Sequence, residues 1–506
     1  MRCGRPQRGG GEAVRAIAKS LGWALLVSSA LSVGIVPRAF AQDSVPLESL
    51  PAARAQGNAP AGVNPPPGAE ANAGPVLPSG APGIIPTGEY QEGVPFGGWK
   101  LFPSIFVGGV WDSNVAQAAQ GTPTTSAFGV RAVPRIFGVY DGGIYKTTVY
   151  GIVDGDFYSD GASNTNFFDN NTLSATAGFS HYYEAMQDLF FNFYGNYTRQ
   201  RDIFNNAAMF NNGAIGPIAN PPSTIPIVVN PFGTTPGVNP IPFNQFALGG
   251  SVTKTFGQAF ATLGASGFYI LYDHSVDNIP VPFQTSLDGG TVWVTGRLGY
   301  HIFPWLYVFG EGDGIFQRFN NSLFDTNGYR VIGGLGTDDP NSLIRGEIYG
   351  GYWAQTEENA TGLAIPAGLG VPSTNTASGV FGGRLWYYPT PYWAFIASVD
   401  EALGVATFIS PTVPAGAPAL TTTALLQTTY GIAREWSVGA RGGYVRAQYF
   451  DISLVQNGWL VGGSFNYEIW RNLMLTLDYQ YTTMRANVPF DSFVNQQATA
   501  GVTWRY

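Results

Sequence analysis

The chain has 506 residues, enough for several soluble domains, yet only 11% of it is charged, against roughly 25% in soluble proteins. It is rich in Gly, Tyr, Phe and Trp (67, 26, 34 and 12 residues) and has no stretch of about 18 apolar residues for a membrane-spanning helix. The net charge of −8 argues against nucleic acid as a partner, because phosphate neutralisation needs a basic face.

The first residues read as a secretory signal over 1–41. Arg2, Arg5, Arg8, Arg15 and Lys19 make a basic start, an apolar run follows over 21–36, and Ala39-Phe40-Ala41 ends it as a small-x-small cleavage site. Cys3, the single cysteine, lies in that basic start and is lost on processing. The mature chain then holds no thiol, which excludes disulfides, thiolate metal sites and cysteine nucleophiles.

From 42 to 97 the sequence is mostly Pro, Ala and Gly, as in Pro65-Pro66-Pro67-Gly68. Such a segment cannot bury enough apolar area to offset its conformational entropy, so a disordered periplasmic tail is expected. A docking segment for a periplasmic partner is the sharper alternative.

Beyond Trp99 short and long connections alternate. Short ones fall at 141–143, 185–188, 257–258, 303–304, 338–342, 389–391, 433–435 and 470–472, and longer polar ones lie between them, the longest over 203–243. Tight turns on one side and long loops on the other are the asymmetry of a transmembrane β-barrel. The spacing predicts an all-β, antiparallel up-and-down barrel over 98–506 with about 18 strands. Weak segments around Asp400 and Thr423 leave 16 possible.

Alternation within strands assigns the two faces. In 189–197, Leu189, Phe191, Phe193 and Tyr197 alternate with Asn192, Tyr194 and Asn196, and in 473–482, Leu473, Leu475, Leu477, Tyr479 and Tyr481 alternate with Thr476, Asp478, Gln480 and Thr482. Successive strand side chains point to opposite faces. A charge at the bilayer midplane costs about 2–4 kcal/mol for Arg or Lys, so the charges should take the lumen face. Arg131, Arg135, Lys146, Asp154, Asp156, Glu184, Arg297, Arg330, Arg345, Glu347, Arg384, Asp400, Arg441, Glu468, Asp478 and Arg505 all fall opposite the more apolar face. Glu311 and Asp313 join them if Leu306 and Val308 face lipid, which turns Trp305 and Phe309 inward. These nine basic and nine acidic residues favour no ion sign, and they can also cross-link neighbouring strands as ion pairs. Lys254 and Arg446 break the pattern near strand ends, where long side chains reach the interface.

Aromatics gather where strands meet the short turns, among them Tyr300, Phe303, Trp305, Trp393, Trp436 and Trp470, as in an interfacial girdle. The chain's last nine residues alternate Ala498, Ala500, Val502, Trp504 and Tyr506 with Thr499, Gly501, Thr503 and Arg505. Trp504 and Tyr506 thus read as an assembly signal for the machinery that inserts outer-membrane barrels.

Motifs for catalysis are missing from the sequence. His181, His274 and His301 are far apart with no metal-ligand spacing, and no Gly-x-Ser-x-Gly elbow or phosphate-binding loop appears. No cofactor or metal is expected.

The segment Gly108-Gly109-Val110-Trp111-Asp112-Ser113-Asn114-Val115 closes the first strand. With its Asp-x-Asn element, the Gly-x-x-Gly pieces that run into Tyr300 and Tyr444, and the terminal Thr503-Trp504-Arg505-Tyr506, the chain resembles the second putative β-barrel porin family of Gram-negative bacteria. The resemblance implies a membrane barrel without a catalytic set, some members being encoded beside exopolysaccharide biosynthesis genes. The expected function is a passive or weakly selective outer-membrane pore for small solutes. An accessory conduit for exopolysaccharide and a surface adhesin or receptor using the long loops are the alternatives.

Overall fold

A computed structural model describes residues 93–115, 124–159, 172–201, 242–272, 288–320, 322, 325–337, 343–357, 375–390, 393–405, 418–433, 435–450, 455–487 and 492–506. The signal segment, most of the Pro-rich tail and most of the long connections, His274 included, lie outside these residues.

Among the described residues nineteen strands follow one another: β1 (Val94–Phe96), β2 (Trp99–Asp112), β3 (Ala127–Asp141), β4 (Tyr145–Tyr158), β5 (Thr172–Met186), β6 (Leu189–Arg201), β7 (Pro242–Phe256), β8 (Ala259–Tyr272), β9 (Gly289–Phe303), β10 (Leu306–Phe319), β11 (Thr326–Thr337), β12 (Ile344–Glu357), β13 (Asn375–Thr390), β14 (Trp393–Val405), β15 (Pro418–Ala433), β16 (Trp436–Tyr449), β17 (Val455–Trp470), β18 (Leu473–Ala486) and β19 (Phe493–Arg505). From β2 to β19 each strand pairs antiparallel with the next, and β19 returns to β2 from Gln497↔Asp112 to Arg505↔Ser104. The result is a closed antiparallel barrel of 18 strands. Both segments read as weak form strands, β14 pairing with β15 from Trp393↔Tyr430 to Val405↔Pro418, which excludes the 16-strand option. The barrel strands β2 to β19 have 12 to 16 residues, longer than the roughly 9–11 that cross a bilayer.

Val94–Phe96, expected within the tail over 42–97, form a strand instead. Val94, Pro95 and Phe96 pair with Leu101, Lys100 and Trp99 through a Gly97-Gly98 turn. Gly97 has φ 60°, a conformation that glycine adopts without steric cost and that two-residue hairpins need. β1 covers the stretch of the β2 edge beyond the end of β19, so that edge is not left unpaired.

Tight turns sit where the alternation ended. At 141–145, Gly142 N donates to Tyr145 O (2.9 Å) and Gly143 N to Asp141 Oδ1 (3.0 Å). Several of these turns carry a register shift beside them, at Glu184/Met186, Leu306/Tyr307, Gly431/Ala433 and Glu468/Trp470. Such bulges sharpen the local twist of a strand.

The outer face is apolar and exposed, as at Val294, Leu298, Val331, Ile348, Val461 and Leu477. Near the tight turns it is aromatic. Phe303 stacks on Trp305 (5.7 Å) and Trp436 lies 4.6 Å from Tyr467. Lys254, an exception to the facing rule, forms an ion pair with Asp188 in the turn before β6, and Arg446 is exposed and donates to Gln448 (3.3 Å).

Candidate functional site: the inner wall

Inward side chains appear at every second residue. On β10 these are Tyr307, Phe309, Glu311, Asp313, Ile315 and Gln317, all buried. Leu306 and Val308 take the other face, as the carboxylates require.

The acids and bases of this face meet in three groups. On β3 and β4, Arg131 holds Asp154 with two hydrogen bonds (Nε–Oδ1 3.1 Å, Nη2–Oδ2 2.6 Å) and lies 3.5 Å from Asp156. Arg135 lies four residues further along β3, half-buried, its Nε without a partner.

The largest group spans β9 to β12. Arg297 donates to Glu311 (2.6 Å) and Glu347 (3.0 Å), and Arg330 to Asp313 (2.7 Å) and Glu311 (3.1 Å). Thr295 Oγ1 adds a hydrogen bond to Asp313 (2.5 Å). Aromatic rings close around these charges. The Arg297 guanidinium lies 4.2 Å from the centre of the Phe309 ring, and that of Arg330 lies 5.6 Å from both Trp293 and Trp353. Charge-assisted hydrogen bonds and cation–π contacts together offset the desolvation of an arginine only 1% exposed. Beside this group Tyr349 donates to Asp400, and Arg345 and Arg384 are half-buried at the inner edge.

The third group is smaller. Arg441 on β16 donates to Asp478 on β18 at 2.7 and 2.8 Å and to Gln480 at 2.9 Å. Near the tight turns Arg505 meets Glu468 (2.9 Å). Lys146 and Glu184 are half-buried on β4 and β5, with no side-chain hydrogen bond or ion pair among the described residues.

Alternation pointed to the charges but not to their neighbours. The inner wall expected to be polar carries Phe260, Trp293, Tyr307, Phe309, Ile332, Tyr349 and Trp353 as one buried cluster. Phe309 is the one among them that the facing argument turned inward. Of the neutral inward side chains of β17 to β19, alternation named Thr476, Gln480, Thr482 and Thr499 but none on β17. There Gln456, Ser464, Asn466, Thr476, Gln480, Thr482 and Thr499 are buried, with Thr476 donating to Asn466 (3.0 Å) and Gln480 to Thr482 (3.2 Å).

His181 accepts or donates a hydrogen bond at Thr147 Oγ1 (2.8 Å), and His301 packs on Phe260 and Tyr307. Among the described residues no group of three His, Cys, Asp or Glu could hold a metal. Trp504 and Tyr506 are exposed, and the Tyr506 amide donates to Pro103 O (3.2 Å).

The family model described as Putative beta-barrel porin 2 matches residues 392–506, which hold the last six strands, in agreement with the resemblance seen in the sequence. No curated protein matches the chain. Among solved structures, the FrpB iron transporter from Neisseria meningitidis is 9% identical with a TM-score of 0.35, covering 80% of this chain and 82% of its own. The siderophore receptor PirA from Acinetobacter baumannii is 6% identical (TM-score 0.37, 80% of each chain), and the copper transporter OprC is 9% identical (TM-score 0.37, 82% of each chain). All three likenesses are too distant to bear on function.

Proposed function

We propose that the chain is an outer-membrane pore that passes small solutes with weak charge selectivity. The observation that carries this reading is that arginines and carboxylates of the inner wall are bonded to one another. Arg131 pairs with Asp154 and Asp156, Arg297 with Glu311 and Glu347, Arg330 with Glu311 and Asp313, Arg441 with Asp478, and Arg505 with Glu468. Selectivity by charge arises from rings of one sign, and paired charges make no such ring.

Outer-membrane placement is supported by the exposed apolar belt, the aromatic girdle and the alternating C-terminal strand. In this reading outer-membrane lipid surrounds the belt, and Trp504 and Tyr506 are the end offered to the insertion machinery. Function needs neither cofactor nor catalysis. Single-channel recording of the purified protein in a planar bilayer tests the pore. Open-channel conductance with a reversal potential near zero in a KCl gradient is expected, and a barrel that does not conduct overturns it.

One feature favours a conduit for uncharged polysaccharide as a second reading. The inward side chains of β17 to β19 are mostly amides and hydroxyls, the chemical class that bonds sugar hydroxyls. Block of the channel current by neutral oligosaccharides separates this from a general pore. The adhesin alternative rests on long connections that lie outside the described residues.

A further inference from the structure

The Asp-x-Asn element lies where the barrel has no covalent continuity. Every other pair of neighbouring barrel strands is consecutive in sequence, whereas β19 and β2 are the last and the first and meet only through their ladder. Beyond Gln497↔Asp112 that ladder is carried on by one more backbone bond and then by side chains. Ser113 N donates to Gln496 O (2.9 Å), Gln496 N donates back to Ser113 Oγ (2.8 Å), and Ser113 Oγ donates to Asn495 Oδ1 (3.1 Å). Asn114 Nδ2 donates to Val494 O (3.1 Å), and Asn495 Nδ2 donates to Asp112 Oδ2 (3.3 Å).

We propose that Asp112, Ser113 and Asn114 form a latch that locks the first and last strands in register and completes closure of the barrel. The residue types suit the task. Asp112 has two acceptor oxygens, one taking Asn114 N (2.8 Å) to hold the turn and the other taking β19. Asn114 supplies a side-chain donor for a backbone carbonyl, and Ser113 both donates and accepts. Short side chains that bond backbone nearby offer such turns a stable alternative to the regular ladder. Burial of Asp112 and Asn114 keeps water from competing for these bonds. The latch does what a covalent turn does at the other strand pairs, fixing a register that a slip of one residue would invert.

Hydrogen–deuterium exchange on the full chain folded in detergent tests this. With Asn114→Ala or Asp112→Ala, amides of 113–115 and 494–497 should exchange faster by on the order of tenfold, the equivalent of one or two lost hydrogen bonds, while β5 to β12 stay unchanged. Asp325→Ala is the control, because it removes a comparable bond to Phe319 N (2.8 Å) between strands joined by their own connection. It should disturb only that hairpin. If Asn114→Ala yields no folded barrel, Ser113→Ala, which removes the hydroxyl alone, carries the same expectation. Faster exchange spread evenly over all strands, or seam amides unchanged in every variant, would overturn the latch.

Discussion

The inner faces of β9 to β12 and of β17 to β19 solve one problem in two ways. Both are polar faces turned away from lipid, and both are largely buried. The first holds arginines and carboxylates bonded across four strands and covered by Trp293, Phe309 and Trp353. The second uses mostly neutral amides and hydroxyls in pairs such as Thr476 with Asn466. Buried charges must be matched and hydrogen-bonded together or not at all, whereas a neutral pair can lose one member at modest cost. The charged wall should therefore be stiff and intolerant, and the neutral wall adaptable.

The sharpest break of this contrast is Arg330→Met. It leaves Glu311 and Asp313 buried with one cation fewer, and a loss of about 3–5 kcal/mol is expected, read by urea unfolding in lipid vesicles. Adding Asp313→Asn should recover much of it by restoring balance. If Arg330→Met unfolds at the wild-type midpoint, the network is not what holds this wall.

Next in size is the contrast between the two faces of β12. Ile348 is 64% exposed on the outer face, so Ile348→Arg should destabilise assembly by about 2–4 kcal/mol if it sits near the midplane. Arg345 lies on the other face, and Arg345→Glu should assemble and shift ion preference toward cations. Assembly lost in the second and kept in the first would invert the facing of this strand.

A smaller effect is expected on the neutral wall. Thr476→Val removes the hydrogen bond to buried Asn466 at similar volume, leaving Asn466 Oδ1 without its donor, and should cost about 1–3 kcal/mol, measurable in the same unfolding series. A loss as large as that of Arg330→Met would erase the distinction between the walls. Smallest of all, removal of 42–92 should leave thermal stability and conductance unchanged, since this cut spares β1 and the segment has no periodic apolar face. A drop in either would reveal a plug or a docked partner segment.

Gly346 shows why part of this wall could not be read along the chain. Its φ is 140° near the start of β12, and a Cβ there would stand 1.9 Å from Arg384 O. Alternation puts Arg345 and Glu347 on one face, but the close approach between them comes from the neighbouring strand. Asp112 and Asn114 teach the same. Their spacing was visible, whereas their partners Val494 and Asn495 are some 380 positions away and become neighbours only on closure.

Period-two alternation and the rhythm of turns determined the class, brought the strand number to 18 or 16 and sorted most charges onto one face of their strands, because both are local properties of an extended chain crossing between lipid and water. Tertiary structure alone decided which charges meet, which rings cover them and how the seam is held. Those depend on register between strands and on joining the two ends of the sheet, and register is set by partners that a single strand does not contain.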